Sequence, residues 1–208
     1  SFAKSEQFEE IQYATCVVDK SGKKNYRLAD PKDAAAYANI TLDMIDDVPE
    51  LQLDINGVRH LWCIQYGRTT TSDLFNNRQL LSLKWLSYRI SEAIDEMSKQ
   101  GVDDKTKKTV SALLCCLLNR LIVYNSRHSW WQSNGQFIAN MFVRQGISMV
   151  WNYCEVYPMS SGAGSLISAR KWIKLVVSDM QKIDYTGRVI CGDAGNLISV
   201  KSDSVDLG

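Results

Sequence analysis

The 208-residue chain carries 24 basic and 23 acidic residues, a net charge of +1, with 45% hydrophobic and 23% charged positions. These values suit one globular domain, or one domain with a small appendage, and require any nucleic-acid contact to come from a local patch rather than from bulk charge. The most apolar run, residues 110–124, is broken by Asn119 and Arg120. It falls short of the roughly 20 apolar residues a membrane span requires, and no membrane association is expected. The six cysteines form no C-x-x-C pair and no signal peptide precedes them. Four or more fall in apolar runs, which predicts reduced, buried thiols in a cytoplasmic protein and no metal site.

In chain order, residues 13–18, a turn at 19–23 and residues 25–28 have the form of a β-hairpin. Asp30 is placed to cap a helix with Pro31 at its first position, running to about Asp46. Residues 49–66 read as extended, with a tight turn at Asn56-Gly57. Asn76 or Asn77 caps a helix over 78–99 that stops at Gly101; Leu80, Leu83, Leu86, Ile90 and Ile94 form its stripe. Leu81, Trp85 and Tyr88 lie opposite, predicting a first half buried all round. Asp103 or Asp104 opens the next helix, with the stripe Val110, Leu113, Leu114, Leu117, Leu118 and Leu121, continuing to about Asn125. A third helical stretch is expected over 136–157, with a break near Gly146, ended by Pro158. After a loop at 160–165, Ser168 caps a fourth helix with Ala169, Ile173, Val176, Val177 and Met180 inside. Residues 188–191 and 204–207 read as short β runs around a Gly192-Asp193-Ala194 turn. The expected class is α+β, mainly α. It divides into a β-rich region at 1–66, a helical domain at 67–184 and the start of a sheet at 185–208.

Chemistry is sparse in the pattern. The two histidines, His60 and His128, sit near no serine of a Gly-x-Ser-x-Gly elbow, and no phosphate-binding glycine loop is present. No catalytic residue is assigned. His60 reads as a core histidine and His128 as a candidate for a surface role. At helical spacing Arg120, Arg127 and Trp131 share one edge of the leucine stripe. Arginine beside tryptophan suits phosphate contact and base stacking, and equally a helix–helix seam in which the arginine stems pack on rings. If helix persists over 136–157, Arg144, Trp151 and Glu155 share a face, and Arg144 with Glu155 is expected as a buried structural pair. Asp193, directly after a β run, is placed either to meet a ligand at a strand end or to cap a turn.

Read in order, three blocks make one pattern: Tyr66-Gly67…Thr71…Asp73-Leu74-Phe75…Arg78-Gln79-Leu80; Arg120…Asn125-Ser126…Trp131; and Phe142…Arg144-Gln145…Met149-Val150-Trp151…Glu155…Pro158…Gly162. Gly192-Asp193-Ala194 and Val205-Asp206-Leu207 follow. Over residues 60–208 this series resembles the long adenine-specific DNA methylases of prokaryotic defence loci, which begin with a domain of unknown function. Trp130-Trp131-Gln132 stands where that family usually has Arg-Trp-Asp, Trp151-Asn152 where it has Trp-Asp, and the cysteine pairs often found upstream are missing. The resemblance implies an internal piece of such an enzyme, between a glycine-rich S-adenosylmethionine motif upstream and an Asp-Pro-Pro-Tyr motif downstream. It implies Asp193 near the cofactor adenine, and residues 185–208 as a short piece of the α/β methyltransferase sheet. The partners implied are DNA and the remainder of the parent enzyme, with S-adenosylmethionine bound by the parent and not by this piece alone. The competing reading is a structural or protein-interaction module with no DNA contact of its own.

Overall fold

The computed structural model describes residues 10–184 apart from 46, 58, 59 and 144, together with positions 192, 196 and 200. The β runs at 188–191 and 204–207, with Asp193, therefore lie outside the described residues, as does Arg144. The chain divides into two units, Ser1–Ile173 and Lys174–Gly208. Its architecture is α+β and mainly α: four α-helices and two small antiparallel sheets among the described residues.

The N-terminal hairpin forms as the alternation predicts. Strand β1 (Ala14–Val18) pairs antiparallel with β2 (Lys24–Leu28), with Cys16 opposite Tyr26. The Asp19 carboxylate accepts from the backbone N–H groups of Ser21 and Lys23 and closes the turn. Asp30 then caps helix α1 (Pro31–Ala38) through a full capping box with Asp33. That helix is shorter than its sequence suggests, and a 3-10 turn at Leu42–Ile45 follows it. The 49–66 stretch is also only partly extended. Trp62–Tyr66 is a 3-10 turn ended by Gly67 in the left-handed region, and it buries Cys63 and Ile64.

Helices α2 (Asn77–Lys99) and α3 (Asp104–Tyr124) form the helical hairpin that the two apolar stripes require. Leu86, Ile90 and Leu121 are buried at their seam, with Leu83, Ile94, Leu114, Leu118 and Leu166 packed around them. The connection is short because α2 ends in a Schellman turn: Val102 N–H donates to Met97 O and Gly101 N–H to Ser98 O, with Gly101 at φ +73°. The opposite face of α2 corrects the expectation of all-round burial. Trp85 and Tyr88 are more than half exposed, and Arg89 stacks on Trp85 at 6.0 Å.

Among the described residues, the third helix expected over 136–157 does not form. Strands β3 (Trp130–Gln132) and β4 (Phe137–Ala139) make a second hairpin, with Gln136 at positive φ in its turn. The rest of that stretch is irregular and holds itself by long-range backbone bonds: Met141 N–H to Val123 O, Ile147 N–H to His60 O and Cys154 N–H to Ser129 O. Its apolar residues are buried from this irregular backbone: Met141, Ile147 and Val156 are all within 7% of full burial. Gly146 allows a close approach in this stretch. A Cβ at that position would lie 2.4 Å from the His60 carbonyl oxygen, so the chain passes directly against another backbone segment. Met141 and Ile147 complete a second core cluster with Cys63, Ile64 and Leu74.

Helix α4 (Leu166–Met180) starts earlier than predicted. Its cap is Ser165, fully buried, whose hydroxyl accepts from Ser168 N–H. Ala169 is buried as expected, but Val176 and Met180 are more than half exposed. The thiols also depart from expectation: Cys63 is buried and Cys154 half-buried, while Cys16, Cys115 and Cys116 are exposed. No helix among the described residues is long and apolar enough to cross a membrane.

Two glycines separate backbone strain from crowding. Gly101 and Gly164 both adopt positive φ, but a Cβ at Gly101 meets open space, whereas one at Gly164 would lie 2.4 Å from Tyr124 Cβ. Gly101→Ala should cost about 1–2 kcal/mol, the penalty of a left-handed L-residue. Gly164→Ala should cost about 2–4 kcal/mol, since overpacking adds to it. Urea denaturation compares them; equal losses would show that the 160–165 loop is not seated on the end of α3.

Candidate functional site

The polar centre of the molecule is built at the start of α2. Asn76, with no exposed surface, caps the helix by accepting from Gln79 N–H at 2.9 Å, and the Gln79 side chain accepts from Asn76 N–H at 2.9 Å. This uses the Asn76 carbonyl and leaves its amide group to donate. The amide donates to Tyr153 Oη at 2.8 Å and to Glu155 Oε1 at 2.7 Å. At the second position of the helix, Arg78 grips the same carboxylate with two bonds, Nε to Oε2 at 2.7 Å and Nη2 to Oε1 at 2.9 Å. Such a fork is the strong geometry for guanidinium and carboxylate. It raises the Arg78 pKa, chiefly through the Glu155 bonds, and the guanidinium also lies 5.3 Å over the Tyr37 ring.

The Tyr153 hydroxyl, having accepted from Asn76, donates onward to Glu10 Oε2 at 3.1 Å. Burial, before any other cause, raises its pKa well above the ordinary phenol value. Two further arginines converge on Glu10. Arg127 Nη2 donates to Oε2 at 3.0 Å, and Arg68 Nη2 lies 3.5 Å from Oε1. Arg127 Nε is only 2.6 Å from Oε1. That N–H does not point at the oxygen, however, and it is left without a hydrogen-bond partner, like the N–H at Arg68 Nε. The short approach is an ion pair and not a hydrogen bond. Burial first, and then the neighbouring Arg127, lowers the Arg68 pKa.

Local structure explains the convergence. Asp73 accepts from Thr69 N–H at 2.8 Å and Thr70 N–H at 2.9 Å, shaping the loop that follows Arg68. Arg127 sits in a tight turn after α3, where Ser126 and Ser129 are fully buried and their hydroxyls are 3.2 Å apart. Its backbone N–H donates to Leu74 O at 2.8 Å and its Nη1 to Asp73 O at 3.2 Å. The turn is tied to the third block by Asn125, whose side-chain oxygen accepts from Val156 N–H at 3.0 Å.

Of the residues singled out by sequence, Arg127 and Glu155 meet in this network. The helical edge proposed for Arg120, Arg127 and Trp131 does not form, because α3 ends at Tyr124. Arg120 instead lies 4.5 Å over the Tyr124 ring. Trp131 sits on β3, edge-to-face with Tyr26 at 6.0 Å and below Lys24 at 5.8 Å. Glu155 takes Arg78 as its partner, while Arg144, like the cofactor-linked Asp193, lies outside the described residues. Sequence reading missed Glu10 and Arg68 altogether and gave Tyr153 no role. It marked Asn76 only as a cap and Arg78 only as part of a block. Among the described residues no group of three His, Cys, Asp or Glu side chains could hold a metal ion.

No family model, no curated protein and no solved structure matches the chain.

The Arg78–Glu155 fork should behave as a coupled pair. About a third of the Arg78 side chain remains accessible, which screens the attraction. Arg78→Ala and Glu155→Gln should each cost about 2–3 kcal/mol, with a coupling of about 1–2 kcal/mol in a double-mutant cycle. Arg78→Lys should recover little, because an ammonium cannot make both bonds. Additive single losses in chemical denaturation would mean that the pair is dispensable.

Proposed function

We propose that the chain is the central region of an adenine-specific DNA methyltransferase, and that its arginine cluster seats a backbone phosphate of the DNA. The observation that carries this reading is the meeting of Arg68 and Arg127 on one carboxylate oxygen pair, with the Nε–H of each guanidinium still unbonded. Two planar guanidiniums around one anionic group, with donors to spare, suit a phosphate better than a carboxylate, since phosphate offers more acceptor oxygens. Glu10 holds the place that phosphate would take. The blocks behind the family resemblance also supply the cluster: Arg78 and Asp73 from the first, Asn125 and Ser126 from the second, Glu155 from the third.

In this reading S-adenosylmethionine, held elsewhere in the parent enzyme, supplies the methyl group that passes to the exocyclic amine of adenine. The present residues position the duplex through its backbone and carry no sequence information in that contact. Arg120 and Trp131 remain candidates for further contacts with DNA, now as separate positions rather than one edge. Asp193 remains the position assigned to the cofactor adenine.

One observation favours the alternative, a purely structural or protein-interaction module. The Asn76–Glu155–Arg78 part of the network is internally satisfied, as expected of a packing device.

The test uses the complete protein encoded by the gene, assayed for transfer of labelled methyl groups to duplex DNA and for N6-methyladenine in the product. The wild type should methylate adenine. Arg127→Ala should raise KM for DNA about fivefold to tenfold, with a kcat near that of the wild type, and should flatten the salt dependence by about one phosphate contact. Circular dichroism checks folding. Absence of methyl transfer would overturn the methyltransferase reading. Transfer with an unchanged KM in a folded Arg127→Ala protein would assign the cluster to packing.

A further inference from the structure

The segment that carries Glu10 is seated with its alternation reversed. Over residues 10–13, Glu10 and Gln12 are half-buried, while Ile11 and Tyr13 are turned out. Ile11 is 74% and Tyr13 63% exposed, so the apolar members of the pattern bury little. An extended segment on a core ordinarily puts its apolar face inward and its polar face out. Here the polar face lies inside. Among the described residues, positions 10–12 make no backbone hydrogen bond, and the Tyr13 carbonyl, accepting from Ala29 N–H at 3.0 Å, ties only to the end of the N-terminal hairpin. The segment is a strap held down by polar side-chain bonds.

Two residues supply those bonds. Gln12 Oε1 accepts from Arg78 Nη2 at 3.2 Å, and Gln12 Nε2 donates to Thr15 Oγ1 at 3.1 Å. Glu10 contributes more, since its carboxylate meets two guanidiniums and a phenol. Its fit is loose on one side. Oε2 accepts from both Arg127 Nη2 and Tyr153 Oη, while Arg68 Nη2 reaches Oε1 only at 3.5 Å, beyond the ordinary hydrogen-bond range. The Arg68 and Arg127 side chains are each 18% accessible and that of Glu10 is 22%, so the group stands at the surface. Lifting Glu10 alone would leave two cations without a counter-charge in a half-buried place. The carboxylate therefore leaves in exchange for another anion.

We infer that residues 10–13 form an autoinhibitory strap, in which Glu10 is a tethered mimic of the DNA phosphate and must be displaced before Arg68 and Arg127 can take one. The inference rests on the reading of that arginine pair as a phosphate seat, and adds a competitor within the chain. A carboxylate on a short tether faces the seat at an effective concentration in the millimolar range, on the order of 10⁻³ M. The apparent affinity for an incoming phosphate is reduced by the fraction of time the seat is free. Neither burial of Ile11 and Tyr13 nor backbone bonds of residues 10–12 anchor the strap, so its release breaks little beyond the side-chain bonds of Glu10 and Gln12. The phosphate replaces those of Glu10 at the arginines.

The experiment is equilibrium binding of a fluorescein-labelled duplex oligonucleotide to the complete protein, followed by anisotropy. Glu10→Ala should lower Kd about fivefold to tenfold, the gain from freeing a seat that the strap fills for about 80–90% of the time. Asp95→Ala removes the same charge from an exposed position on α2, about 25 Å along the helix from Arg78. Screening at that distance should keep its Kd within about twofold of the wild type. Glu10→Ala combined with Arg127→Ala should lose the gain, because the seat itself is then damaged. Inorganic phosphate should raise the Tm of Glu10→Ala by more than that of the wild type. If circular dichroism shows Glu10→Ala to be poorly folded, Glu10→Gln keeps the side-chain length and should give the same gain. An unchanged or higher Kd in the folded Glu10 variant, or an equal gain from Asp95→Ala, would overturn the strap. Arg127→Ala alone separates the two ideas. Weaker binding there, with no gain at Glu10, removes the strap and keeps the phosphate seat, whereas unchanged binding in Arg127→Ala removes both.

Discussion

The side chain of Asn76 holds the architecture together by working in two directions. Its carbonyl terminates α2, and its amide reaches residues 77 and 79 positions further along the chain, Tyr153 and Glu155. Every polar atom of that amide is used, in a place with no access to water. Such an atom set is expensive to leave unpaired, at about 1–3 kcal/mol per group. The irregular segment after β4 has no helix or ladder of its own to order it. It is ordered by delivering Tyr153 and Glu155 to Asn76 and Arg78, and by the backbone bonds that flank them, Cys154 to Ser129 and Val156 to Asn125. The arginine cluster follows from the same delivery, because Tyr153 is the bridge between Asn76 and Glu10.

What could be read in advance tracks the range of the forces concerned. Local rules worked where local forces decide. The Asp30 and Asn76 caps, the Schellman end at Gly101 and the leucine seam between α2 and α3 all depend on residues within a few positions of one another. The stretch after β4 was misread although its buried apolar residues do not share a helical face: Ile147 and Val156 would lie on opposite sides of a helix. The break expected near Gly146 was the one sequence sign against helix; that its absent side chain makes room for the His60 carbonyl is a long-range fact. The missing helix also removed the basis for pairing Glu155 with a residue on its own face. Its partner lies 77 positions upstream, where spacing has nothing to say.

The candidate site was partly legible for the same reason. Arg127 stood out because arginine beside serine, asparagine and tryptophan is an unusual cluster, yet its neighbours in space are Asp73, Leu74 and Glu10. Besides the Gln79 side-chain nitrogen, two groups in this region are held with unused hydrogen-bonding capacity: the Nε–H donors of Arg68 and Arg127, and Nε2 of His128. They lie on consecutive residues of one tight turn or beside it, with opposite preferences. The guanidiniums favour an anion and the imidazole a neutral donor. The turn between Ser126 and Ser129 therefore holds an unpaired buried donor and an unpaired buried ring nitrogen on consecutive residues.

The dependence on Asn76 is tested most directly by Asn76→Asp with amide hydrogen exchange. Aspartate still accepts from Gln79 N–H and caps α2, as good an N-cap as asparagine. It cannot donate to Tyr153 or Glu155, and it sets a second carboxylate against Glu155. Protection of the Cys154 and Val156 amides should fall by about tenfold to a hundredfold, as the loss of one or two buried hydrogen bonds requires, while the Leu86 and Ile90 amides in the body of α2 stay protected. Unchanged protection at Cys154 and Val156 in the folded variant would contradict the account, since the segment would then be ordered without the amide that is held to order it.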